Sequence, residues 1–149
     1  MPARIAAIAA VGTIALACAT LMSDAAGTLD YEFYKAKVQP IFLAKRPGHA
    51  PCVMCHAEAN NMLRLEKLPE GQATWTEEQT RKNFDTVSKI VQAVDDPLTA
   101  KILVHPLAPE AGGDAFHSGG RQFAGKNDPN YKIIAEWAQG ATLAPAKKK

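Results

Sequence analysis

Cys52-Val53-Met54-Cys55-His56 is the stretch on which the reading of this sequence turns. Cysteines three positions apart fall on one face of a helical turn, so both sulfurs can reach a common partner, and the next residue sets an imidazole beside them. Three chemistries use such a set. A CxxC pair can be half of a zinc site or a dithiol redox couple. With histidine directly after it, the pair is the attachment site of a c-type haem, held by two thioethers with the histidine on the iron. Zinc needs a second ligand cluster, and the remaining cysteine, Cys18, stands in an N-terminal segment expected to be removed. A thioredoxin-like couple needs strands alternating with helices, and the sequence carries almost no strand pattern. The expected cofactor is one covalent haem c.

The N-terminus supports a location where that chemistry occurs. Met1-Pro2-Ala3-Arg4 is followed by an almost uncharged run from Ile5 to Met22 and then by Ser23-Asp24-Ala25-Ala26. This is the order of a signal peptide, with a cleavage point after Ala25, so that residues 1–25 are the leader and 26–145 the mature domain. Two alternatives stay open. Ala15-Leu16-Ala17-Cys18 loosely matches a lipoprotein box, which would lipidate Cys18, and the apolar run could remain as an anchor, although it barely reaches the ~20 residues a span needs. All three readings put the domain outside the cytoplasm, periplasmic or exported, with membrane association through the N-terminus or a partner complex.

The 149 residues, 47% of them hydrophobic, suffice for one domain with a modest core. Of 17 basic residues, three are Lys147, Lys148 and Lys149 in the 146–149 tail, and the 14 others stand against 15 acidic ones. A nearly neutral body offers no basic face for nucleic acid.

Along the chain the pattern is helical. Thr28 or Asp30 caps a helix to about Lys45, with Phe33, Val38, Ile41 and Phe42 inward and a kink or division at Pro40. Residues 46–51 form a loop feeding a haem helix that starts near Cys52 and stops at Asn60-Asn61. Residues 62–75 read as a loop whose Met62, Leu63, Leu65, Leu68 and Trp75 cover the cofactor. Thr76-Glu77-Glu78-Gln79 is a capping box for a helix to about Val94, and Asp96-Pro97 starts a short turn. Pro106 to Gly125, with five glycines, is a functional loop. Asp128-Pro129 opens a last helix that Gly140 ends.

His56 accounts for one face of an iron, so the other face needs a ligand. Met54 lies within the motif, Met62 is too few residues from His56 to round the ring, and no methionine follows Met62. Histidine is then the expectation. His117, in Phe116-His117-Ser118-Gly119-Gly120, is the first candidate and His105 the alternative, with an open site as the third reading; His49 is tied to the attachment side. Arg121 and Lys126 are placed to pair with propionates.

These residues resemble the single-haem c-type cytochromes of exported acidobacterial and planctomycete proteins. The resemblance rests on Val38-Gln39-Pro40-Ile41-Phe42, the Cys52–His56 motif, His117-Ser118-Gly119-Gly120 and the Trp137–Ala141 ending, and spans about Tyr31 to Ala141. It implies an all-α, cytochrome c-like fold: helices packed round one haem, long glycine-rich loops, and terminal helices packed together beside the cofactor. It also implies electron transfer with redox protein partners rather than an enzyme. The missing methionine implies a potential below that of a His/Met cytochrome. A haem enzyme or gas sensor with an open sixth site, and a haem subunit of a membrane redox complex, are the alternatives.

Overall fold

A computed structural model describes residues 29–143; the leader with Cys18 and Ala25, and the lysine tail, lie outside them. The described chain is helix-rich, and in place of strands it has two isolated bridges, Arg46 with His49 and Leu107 with Phe123.

Asp30 opens the first helical segment by accepting from the Phe33 N–H at 2.5 Å. The segment runs as α1 (Tyr31–Phe33), a π-turn (Tyr34–Val38) and α2 (Gln39–Leu43). The sequence reading placed a kink or division at Pro40, and the structure shows the form it takes. Proline cannot donate to the carbonyl four residues back and its ring collides with it. The preceding turn widens instead, with the Gln39 N–H reaching Tyr34 O. The Cys-x-x-Cys-His motif is α3 (Cys52–His56), which starts where expected but ends at His56, short of Asn60.

Thr76 and Gln79 form the reciprocal capping box that starts α4 (Glu77–Gln92). A 3-10 turn (Pro97–Thr99), capped by Asp96, leads into α5 (Lys101–Val104), and a second 3-10 turn (Pro109–Ala111) interrupts the glycine-rich stretch. In α6 (Pro129–Ala138), Asp128 Oδ1 accepts from the N–H groups of Asn130 and Tyr131, and Gly140 follows at φ +92°.

The core joins the two ends of the described chain. Trp137 is fully buried, its ring centre 5.4 Å from that of Tyr34 and 6.1 Å from that of Phe84, and its indole N–H donates to Asp30 O at 2.9 Å. Tilted and edge-on aromatic packing of this kind adds to the burial of large apolar area. The terminal helical segments therefore pack together. The loop 62–75 is pinned by the Trp75 indole donating to Glu66 O and by the Glu66 N–H donating to Asn83. Leu65 and Trp75 are buried in the core, whereas Met62 and Leu63 line a cavity beside α3. Among the described residues no helix is long and apolar enough to cross a membrane.

Candidate functional site

Helix α3 begins after the extended Pro51 and makes one turn, which sets Cys52 and Cys55 on the same wall of a cavity of about 440 Å³. Both thiols are free; Cys52 is half-buried and Cys55 exposed. Burial pushes the Cys52 thiol up, with a partly offsetting pull from the Arg46 guanidinium. The cavity floor is apolar, built from Ile41 and Phe42 of α2, Ile90 of α4, Ile102 of α5 and Ile134 of α6, with Phe123 from the glycine-rich stretch. Helices α2 to α6 thus all contribute, and the volume lies in the range of about 300–1,000 Å³ that accepts cofactor-sized molecules.

His56 also lines this cavity. The backbone turns back after α3 so that the Leu65 N–H reaches His56 O at 3.0 Å, and the same turn brings Leu63 O within 2.7 Å of His56 Nδ1. A carbonyl can only accept, so Nδ1 carries the proton and Nε2 keeps its lone pair. Burial pushes the His56 pKa down, against the raising effect of the Leu63 bond; His117 and His105 lower it further. The neutral ring is the form that ligates a metal.

His117 and His105 reach the cavity from the other side of the sequence. Nδ1 of His117 donates to Gly120 O at 2.6 Å, which leaves its Nε2 as a second lone pair. The His117 ring centre is 6.3 Å from that of His56, with the ring planes inclined by only 19°. His105 packs edge-on against His117 at 4.7 Å and donates from Nδ1 to Asp114 Oδ2 at 2.8 Å; Lys101 binds the same carboxylate oxygen at 2.8 Å. The hydrogen bonds from Lys101 and His105 hold the Asp114 carboxyl below its ordinary value of 3.8.

Two glycines shape this side by close approach. A Cβ on Gly113 would sit 1.9 Å from Leu107 O, inside the backbone, and one on Gly119 would press on His117 Cε1 at 3.0 Å. The sequence motif and the histidine-glycine segment are thereby brought to one cavity. Arg121, read as a propionate partner, lies 3.5 Å from Glu110, both of them exposed. Met54 is 66% exposed.

The sequence reading missed four contributors. The Leu63 carbonyl and Asp114 orient histidines, but nothing in their identity or spacing marks them. Arg46 donates to Gln122 O and Asp128 Oδ2 and lies over the Phe123 ring, 5.4 Å from its centre. Gln122, 7% exposed, donates from Nε2 to Gly119 O at 3.0 Å and Ala50 O at 3.4 Å. A glutamine between Arg121 and Phe123 gives no pattern that would reveal this.

No family model matches the chain, and neither the characterised proteins nor the solved structures compared with it contain a match.

Proposed function

We propose that this chain is an exported one-electron carrier holding one haem c, with Cys52 and Cys55 as its thioether anchors and His56 and His117 as its axial ligands. One observation carries the reading. Two nearly parallel imidazoles, each with Nδ1 committed to a carbonyl, stand 6.3 Å apart in a cavity that also presents two free thiols. With a metal–imidazole bond of about 2.0–2.1 Å, two rings on either side of one metal have centres roughly 6.4 Å apart. Among the described residues no group of three or more His, Cys, Asp or Glu side chains could hold a metal ion. The donors present, two imidazoles with Nε2 unprotonated and two free thiols, fit a covalently attached haem, which Cys52, Cys55, His56 and His117 would hold.

Haem, when bound, supplies one-electron chemistry at iron, and two imidazoles favour a low potential relative to imidazole with thioether. The chain's own residues do the rest. Leu63 O and Gly120 O fix the tautomers and hold both Nε2 atoms unprotonated, as carbonyl partners of ligating histidines do. Ile41, Phe42, Ile102 and Phe123 keep the floor dry, and α3 places both sulfurs on one edge. A rigid site with little ligand movement suits a carrier that hands single electrons to redox protein partners.

A second reading has an observation of its own. The His105–Asp114 pair on the cavity wall is an acid–base arrangement that the sequence did not reveal, and it would serve a gas-binding or catalytic centre if His117 were not a ligand. Carbon monoxide decides between them. Ferrous protein that stays low-spin and ignores the gas supports the carrier; rapid binding supports the enzyme or sensor.

A further inference from the structure

Two chain segments carry the two sides of this cavity: residues 46–51, which lead into the cysteine motif, and residues 117–123, which carry His117. Among the described residues, the hydrogen bonds joining these segments are made by Arg46 and Gln122. Both hydrogens of the buried Gln122 amide are used, one on Ala50 O, two residues before Cys52, and one on Gly119 O, two residues after His117. The backbone carbonyl of Gln122 is gripped in turn by Arg46, whose other nitrogen holds Asp128 at 2.5 Å. The remaining backbone bonds of the histidine segment, Gly120 N–H to His117 O, Phe123 N–H to Pro106 O and Ala108 N–H to Phe123 O, do not cross to the attachment side.

We propose that Gln122, braced by Arg46, is a positioning residue that fixes where His117 stands relative to His56 and so keeps the sixth position closed. The inference rests on the axial pair assigned above. A buried amide with both donors used resists displacement, because moving either segment leaves a polar group unpaired away from water. Among the described residues, the backbone-to-backbone bonds of the glycine-rich loop, such as those to Val104, Pro106 and Ala108, do not reach residues 46–51. The distance between two ligands on such different supports is therefore set by the polar bridge.

The test uses matured, haem-loaded protein and reads ferrous spin state and carbon monoxide association. Gln122→Leu removes the donors at similar volume, and Gln122→Met and Arg46→Lys are measured beside it in case it fails to mature. Arg46→Lys keeps a cation near Asp128 but gives up the fork to the Gln122 carbonyl. His117→Ala is the benchmark for an open site. The expected result is covalent haem retained at parent yield with carbon monoxide association raised about tenfold or more, in proportion to the open fraction. A parent-like rate, within about twofold, and an unchanged low-spin spectrum in every variant that matures would overturn the proposal while His117→Ala still opens the site. If His117→Ala itself stays low-spin, the axial assignment falls and this inference with it.

Discussion

The two sides of the cavity are built by different means. On the attachment side, two thiols and an imidazole come from the five residues of α3, and the carbonyl that orients His56 belongs to the next turn of chain, seven residues on. On the other side, His117 sits in a stretch with one short 3-10 turn, and its surroundings are drawn from Arg46, Ala50, Val104, Pro106 and Leu107. The first side is specified locally and the second by tertiary contacts. A local device survives loosening of the fold, whereas one assembled from distant segments fails as soon as they part.

The sharpest way to break this contrast is at the attachment side. The Cys52→Ala/Cys55→Ala protein is expected to lose all denaturation-resistant haem, read by haem staining after denaturing electrophoresis, with the histidine segment left intact. Asp128→Ala strikes the other side. It removes the cap of α6 and the partner of Arg46 together, and is expected to cost about 2 kcal/mol in denaturant unfolding, from lost capping and a part-buried donor left unpaired. Gly119→Ala is subtler. Its methyl would press on His117, so a few tenths of an ångström of ring displacement should appear as a changed ferric electron-paramagnetic-resonance spectrum with near-parent stability.

The smallest effect concerns Asp114. Its carboxyl is held low by Lys101 and His105, so it stabilises the fold above about pH 4 and the contribution disappears as pH falls through its lowered value. Asp114→Asn is therefore expected to be slightly less stable than the parent near neutrality and to converge with it in acid, measured as unfolding midpoints across pH. The difference vanishes at every pH if the pairing with Lys101 and His105 does not form.

The same contrast explains what was legible in the sequence. Cys52 to His56, the Thr76–Gln79 box, the Asp128-Pro129 start and the Gly140 stop are local signals, and each lies in the structure where the sequence put it. The Asn60-Asn61 end of the motif helix was misjudged because the chain is pulled away earlier, by the Leu65 N–H reaching back to His56 O. At Pro40 the sequence foretold a disturbance but not a π-turn, since widening and division both relieve the same clash. Arg46, Gln122 and Asp114 escaped because their roles depend on partners as many as 82 residues away. Leu65 and Trp75, grouped with Met62 and Leu63 as residues expected to cover the cofactor, lie in the core while Met62 and Leu63 line the cavity: an apolar residue in a loop has no periodicity to say which way it faces.

The most direct measurement is made on protein exported through a pathway competent for cytochrome c maturation, with alkylation of its thiols read by intact mass. The account predicts coloured protein, heavier by one haem, in which Cys52 and Cys55 resist alkylation after denaturation. Colourless protein with both thiols fully alkylated would contradict it.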